Sequence, residues 1–232
     1  ANGNETIYTY DEKGNELTKT DALGNTIFHS YLSKFGVVDT FIDKAGNVTV
    51  FEYDTMGNMT ARHRPLNISD FNIYDEFGNR TAYINPNGDT STYEYNANHY
   101  RSAVHSAAGT ERFYYDNVGN RIVHINRNGD STAFAYNGMN KIVGHTDPLG
   151  NVSLYTYNSA GKKSSFTNAR GFTTEYKYDP LGRLIWVDEP LGAVSYYEFV
   201  DKVNLSNITN LNGNETTFEY DESGRPVSET NA

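Results

Sequence analysis

The sequence predicts an all-β fold of tandem antiparallel β-hairpin repeats, period 21, forming a curved or spiralling sheet. The first observation is a phrase, Tyr176-Lys177-Tyr178-Asp179-Pro180-Leu181-Gly182-Arg183, that returns at Tyr8 to Asn15 and at Phe218 to Arg225. Aromatic side chains at i and i+2 share one face of a strand, and Asp, Pro and Gly at the next corners suit a type I turn. The second observation is the spacing of the turn glycines. Gly14, Gly57, Gly78, Gly119, Gly161, Gly182 and Gly224 are separated by 43, 21, 41, 42, 21 and 42 residues, so the whole span is ten periods of 21. The third is that no stretch keeps the spacing of an amphipathic helix over eleven or more positions.

In chain order, the motif residues are Tyr8, Tyr10, Asp11 and Gly14, then Phe51, Tyr53, Asp54 and Gly57, followed by Tyr74, Asp75 and Gly78. Phe113, Tyr115, Asp116 and Gly119 come next, then Tyr155, Tyr157 and Gly161, then Tyr176, Tyr178, Asp179 and Gly182. Phe218, Tyr220, Asp221 and Gly224 complete the set. Where glycine is missing, Gly36 (displaced by one), His99, Asn140 and Val203 hold the register. A second turn lies halfway through each period, at Gly3, Gly24, Gly46, Gly88, Gly129, Gly150, Gly171, Gly192 and Gly213, with Asn67 and Ala108 at the positions lacking glycine. Each unit is therefore strand, turn, strand, turn, and a fixed period of this kind marks a repeat architecture. The least regular stretches are Lys34-Phe35-Gly36, Arg64-Pro65-Leu66-Asn67, Ala107-Ala108-Gly109 and Val200-Asp201-Lys202-Val203. No linker or composition break interrupts residues 1–232, which read as a single array of about ten repeats. The start at Ala1, with Gly3 already in register, and the stop after the last repeat suggest a segment of a longer protein.

Composition narrows the function. Tyr (19) and Phe (12) dominate a chain that is only 37% hydrophobic, which suits a sheet wet on one side. The net charge of −10 and the absence of any dense Lys/Arg cluster beyond Arg62-His63-Arg64 argue against nucleic acid or an anionic membrane as partner. There is no cysteine, hence no disulfide or thiol chemistry. Nothing approaches an apolar membrane-spanning run. About 21 strands at about 4.8 Å would make a sheet about 100 Å wide, far beyond the ~10 strands that a twisted open sheet tolerates. The strip must wind into a curved wall or break into smaller sheets. Paired apolar residues on both faces (Ile122 and Val123, Ile142 and Val143, Ile185 and Trp186) fit a wall with neither face fully in solvent.

Tandem Tyr-x-Tyr-Asp-x-x-Gly-Asn/Arg at this spacing resembles the YD repeats of bacterial Rhs and wall-associated proteins, insecticidal toxin complexes and teneurins. The best copies are Tyr8 to Asn15, Tyr176 to Arg183 and Phe218 to Arg225, and the likeness covers essentially all of the chain. The resemblance implies a hollow β-shell that encloses a reactive C-terminal segment or forms an extracellular recognition body, in a secreted or cell-surface, bacterial protein. The family's self-cleaving C-terminal core has no counterpart here, so autoproteolysis and toxicity attach to no residue of this chain.

Other chemical readings are weaker than structural ones. The repeated Asp residues (Asp11, Asp54, Asp75, Asp116, Asp179 and Asp221) sit where a carboxylate accepts from the turn backbone rather than from calcium. His124 and His145 share one register and His63 and His105 another, but equivalent positions lie about 10 Å apart, too far for one zinc. No metal and no cofactor is expected. Nine Asn-x-Ser/Thr sequons (Asn4, Asn47, Asn58, Asn67, Asn79, Asn151, Asn204, Asn207 and Asn214) mostly arise from the turn phrase itself. No nucleophile elbow, zinc-protease helix or phosphate loop is present, so no enzyme is expected. The leading expectation is a non-catalytic shell segment whose partner is another part of the same polypeptide, such as a toxin domain. The alternatives are a carbohydrate or cell-surface module using exposed aromatics, and a propeller with blades of 42 residues. Open sheet edges predict self-association.

Overall fold

The computed structural model describes residues 5–231; Gly3 and the Asn4 sequon lie outside the described residues. The chain divides into two compact units, one running to Phe113 and including Asn126–Asn128, the other comprising Tyr114–Ile125 and the residues from Gly129 onward. The strands of the first unit are β1 (Ile7–Tyr10), β2 (Glu16–Thr20), β3 (Thr26–Leu32), β4 (Val37–Ile42), β5 (Val48–Tyr53) and β6 (Met59–Arg64). They continue with β7 (Ile68–Tyr74), β8 (Arg80–Ile84), β9 (Thr90–Tyr95), β10 (Arg101–Ser106) and β11 (Gly109–Tyr115), whose last two residues belong to the second unit. The second unit holds β12 (Arg121–Ile125), β13 (Ser131–Tyr136), β14 (Ile142–Thr146), β15 (Val152–Tyr157), β16 (Lys163–Thr167) and β17 (Thr173–Tyr178). It ends with β18 (Leu184–Glu189), β19 (Ala193–Phe199), β20 (Leu205–Thr209), β21 (Glu215–Tyr220) and β22 (Pro226–Asn231).

Within each unit every strand pairs antiparallel with its predecessor and its successor. The ladder is unbroken from β1 to β11. It is equally unbroken from β12 to β22. Continuous pairing of this length has no room for four-stranded blades, which removes the propeller alternative. The 21-residue period is visible in one unit: β15 has six residues and β16 five, each followed by a five-residue turn.

Burial alternates with the pleat. In β5, β9, β15, β17 and β21 the pattern runs exposed, half-buried, exposed, half-buried, with the motif aromatics at the half-buried positions. Fully buried apolar residues are few: Ala61, Ala82, Ala103, Phe113 and Val187 among the described residues. The fold therefore leans on pairing along the ladder and on cross-strand side-chain contacts, as in other linear repeats. Phe71 and Ile73, on the face away from the motif tyrosines, stay exposed.

The irregular turns each have a local solution. Leu32 pairs with Val37, and Gly36 closes the turn from a positive φ of 66°. Pro65–Asn67 forms a single 3-10 turn in which Leu66 and Asn67 both take positive φ. At Ala107 and Ala108 the turn shrinks to two residues, because Ser106 pairs directly with Gly109. Positive φ thus falls on Gly109 (117°), one residue beyond the position assigned to Ala108. His99 and Asn140 take the left-handed conformation of the glycines they replace, whereas Val203 does not. There the Asp201 carboxylate accepts the N–H groups of Val203 and Asn204, each at 2.8 Å, and holds the turn without a left-handed residue.

At Gly182 the backbone has φ +79°, and an added Cβ would lie 2.5 Å from Cε of Lys162, the residue following the preceding Tyr-Asp turn glycine. Gly182→Ala should cost about 1–2 kcal/mol, the left-handed penalty plus displacement of the lysine. A thermal melt reads this against Ala160→Gly, in an exposed turn, which should change stability by under about 1 kcal/mol.

Candidate functional site: the aromatic face and its turns

The Tyr-Asp turn is a type I turn closed by a left-handed glycine. At Asp54 the carbonyl accepts from Gly57 N–H (3.2 Å), and Asp54 N–H donates to the Asn58 carbonyl (3.0 Å). The carboxylate completes it: Oδ1 accepts from the N–H groups of Met56 and Asn58, both at 2.9 Å, and Oδ2 accepts from the Asn58 amide at 2.9 Å. The same set recurs at Asp11, Asp75 and Asp116 and at the half-period turns of Asp43 and Asp147. Where arginine follows the glycine, Nε of Arg183 and of Arg225 replaces the amide, on Asp179 and Asp221. The choice of Asn or Arg after glycine follows: the position must donate to the second carboxylate oxygen. It also commits the amides of the sequon residues Asn47, Asn58, Asn79, Asn151 and Asn204 to a neighbouring aspartate.

Beside each Tyr-Asp turn the ladder is asymmetric. Within the hairpin, pairing reaches the turn through a bulge: Tyr157 faces Lys163 while Thr156 faces Ser165, leaving Ser164 extra. Between hairpins it stops short, since β16 pairs with β17 only from Ser165 to Thr167. The first residue of the strand after the turn, or the second in β4, thus has a carbonyl that the ladder to the next hairpin does not reach. A tyrosine hydroxyl from the next hairpin fills the gap. Tyr31 donates to the Glu16 carbonyl (2.8 Å), Tyr53 to Val38 (2.7 Å) and Tyr74 to Met59 (3.1 Å). Tyr95 donates to Arg80 (2.8 Å), Tyr136 to Arg121 (3.0 Å) and Tyr157 to Ile142 (2.8 Å), always fifteen residues back. The second aromatic of the phrase is Tyr in every hairpin except at Phe199, whereas the first varies among Tyr and Phe, with His29 and Asn72 at two positions. That asymmetry was readable in the sequence; the acceptor was not.

Cations sit between the rings of this face. Lys163 lies over Tyr155 (5.7 Å) and Tyr176 (5.5 Å), and Arg80 over Tyr83 (5.5 Å) and Tyr93 (4.9 Å). In the second unit Phe134, Ile142, His145, Tyr155, Tyr157 and Lys163 line an open groove of about 360 Å³. In β7 the first ring of the phrase is replaced by Asn72, and Asp70 precedes it; both are buried. Asp70 Oδ1 accepts from Arg62 Nε (3.0 Å) and Arg64 Nη2 (2.9 Å). The Asn72 amide donates to the Met59 carbonyl (3.0 Å), and its Oδ1 accepts from Arg80 (3.1 Å). This polar cluster carried no signal beyond the missing aromatic at position 72.

On the opposite face the same-register histidines repeat one arrangement. His63 bonds Ser69 and pairs with Glu52 (3.3 Å), and His105 bonds Thr110 and pairs with Glu94 (2.9 Å). Among the described residues no group of three or more His, Asp or Glu could hold a metal ion.

Titration follows from these contacts. Burial raises the phenols of Tyr31, Tyr53, Tyr74, Tyr95, Tyr176 and Tyr178 above their ordinary value. The amide of the following asparagine is the main cause holding Asp11, Asp43, Asp54, Asp75, Asp116 and Asp147 below theirs. A phenol raised in the folded state binds its proton more tightly there, so its contribution is full below about pH 10 and is lost as pH rises further. A depressed carboxyl contributes above about pH 4 and loses that contribution as pH falls. Denaturant midpoints should therefore form a plateau with both limbs falling, and Tyr95→Phe should shrink the alkaline limb. Removing the hydroxyl should itself cost about 1–2 kcal/mol, because the Arg80 carbonyl is left unpaired. Tyr155→Phe, at the first-ring position, should cost under about 0.5 kcal/mol in the same urea titration.

No match was found among curated protein sequences. Among solved structures, the chain is similar to the Tc holotoxin pore of Photorhabdus luminescens, with 15% identity, a TM-score of 0.58 and 98% of this chain covered. It is also similar to TcdB2-TccC3, with 12% identity, a TM-score of 0.57 and 99% covered. The chain spans 15% and 17% of the length of those two chains, and the likeness is one of fold. The Teneurin YD-shell family matches residues 70–232, well over half of the sequence. With its hairpin repeats, Tyr-Asp turns and continuous antiparallel ladders, the chain belongs to the Teneurin YD-shell family.

Proposed function

We propose that this array is a non-catalytic length of wall in a large secreted or cell-surface protein. Its work is to enclose or present another part of the same polypeptide, such as a toxin domain. The observation that carries the reading is the ring-and-hydroxyl wedge repeated between successive hairpins. It builds an extended aromatic face by adding equivalent units and needs no substrate pocket. Family membership and the fold shared with Tc toxin proteins support it. The motif residues from Tyr8 to Gly224 then serve as structural repeat positions rather than as a ligand site.

A second reading, a carbohydrate or cell-surface module, is favoured by one platform on the opposite face. Tyr196, 48% exposed, pairs across strands with Trp186, and Nζ of Lys177 lies 3.7 Å from the Trp186 ring centroid. An exposed ring with a second ring across the ladder and a cation beside it suits stacking against a sugar.

Limited proteolysis of the natural polypeptide that carries this chain decides the first reading. Segments outside the array should resist cleavage, and Tyr53→Ala with Tyr157→Ala, which opens two wedges, should speed their cleavage at least about tenfold. Cleavage at the rate of the isolated segments, with wedges intact, would overturn enclosure. Glycan-array binding abolished by Tyr196→Ala would instead favour the second reading.

A further inference from the structure

Arg80 differs from the arginines of this fold that close onto carboxylates. Arg183 and Arg225 are closed onto turn aspartates, Arg62 and Arg64 share Asp70, and Arg127 pairs with Glu111. Arg80 is half-buried and equally well held, yet its partners are neutral. Nη1 donates to Asn72 Oδ1 (3.1 Å), Nη2 donates to the Tyr93 hydroxyl (3.3 Å), and the guanidinium carbon lies 5.5 Å from the Tyr83 ring centroid and 4.9 Å from that of Tyr93.

The support is built from the backbone outward. Asn72, 5% exposed, anchors its amide on the Met59 carbonyl, which fixes its oxygen toward Arg80. It stands where the phrase otherwise places a ring, so a hydrophobic contact has been exchanged for a neutral acceptor. Such a partner orients a guanidinium without cancelling its charge. Two of the five N–H donors are used, and the planar fork that remains matches a carboxylate. The two nearby rings lower the hydration of the cation and raise the worth of an arriving anion. On the preceding strand the same face shows the filled version, with the buried Asp70 carboxylate gripped by two arginines.

We infer that Arg80, positioned by Asn72 and Tyr93, is a binding site for a carboxylate side chain of an extended acidic polypeptide segment lying on the tyrosine face. The inference rests on the enclosure reading for the choice of a polypeptide over a sugar acid; the site itself rests on Arg80 alone.

The test is fluorescence anisotropy at low salt with a labelled peptide of alternating Glu and Ser, the same peptide with Gln for Glu, and a hyaluronan oligosaccharide. The Glu peptide should bind and the Gln peptide should not. Arg80→Gln should weaken binding at least about tenfold, equivalent to about 1.4 kcal/mol, while Arg80→Lys, which keeps charge but loses the fork, should retain part of it. Tyr93→Phe should weaken it by a smaller factor, and Arg170→Gln in an exposed turn should leave it unchanged. An unaltered thermal melt for Arg80→Gln assigns the loss to the site and not to unfolding. Equal binding of the Glu peptide to wild type and Arg80→Gln, equal binding of the Gln peptide, or binding of hyaluronan alone overturns the proposal. Loss of peptide binding on Arg80→Gln together with unprotected segments in the proteolysis experiment would keep the site and discard enclosure; the converse pair would do the opposite.

Discussion

The structure depends on one hydrogen bond, repeated: the hydroxyl of the second motif tyrosine on a backbone carbonyl fifteen residues earlier. The bulge after each Tyr-Asp turn and the early end of the next ladder leave that carbonyl without a strand partner. A buried, unpaired carbonyl is expensive. A tyrosine meets the need in one residue, because its ring fills the gap between hairpins and its hydroxyl reaches the oxygen. At Tyr31, Tyr53, Tyr74, Tyr95, Tyr136 and Tyr157 the hairpin is thereby fastened to the one before it, and the array can lengthen without a central core.

That absence of a core shapes the energetics. Very few side chains are fully buried, and three of the apolar ones are alanines shielded by larger neighbours. Stability is then close to a sum over units and their junctions. A turn that departs from the pattern can be absorbed locally, as at Pro65–Asn67 and at Ala107-Ala108, where shorter loops still deliver the following strand to its partner. The turn carboxylates serve the same economy of design. One aspartate satisfies two backbone donors and one side-chain donor, so an exposed loop of five residues needs no outside support.

Against this uniformity, the exchange of a ring for Asn72 and the burial of Asp70 set one stretch of the first unit apart. The polar groups here are largely matched: Oδ1 of Asp70 and Oδ1 of Asn72 each meet a guanidinium and the Asn72 amide nitrogen meets a carbonyl, while Nε of Arg64 is buried without a partner. The result is a buried carboxylate and amide on a face where the phrase otherwise places rings. A structural repeat has acquired a place of its own chemistry there.

The amino-acid sequence by itself determined the hairpin, the 21-residue period, the turn positions and the aspartate's role, because these are local. They follow from side-chain alternation, glycine's left-handed backbone and a carboxylate two to four residues from the N–H groups it serves. Even the substitutes His99 and Asn140 were legible, since histidine and asparagine tolerate a positive φ. Ala108 and Val203 were not, because whether a turn shortens or borrows a side chain depends on where the neighbouring strands must pair. Only the tertiary structure decided where the tyrosine hydroxyls go and that Arg80 stands among neutral partners. Both are contacts between hairpins, and period alone cannot say which atoms face each other across a ladder that opens beside every Tyr-Asp turn.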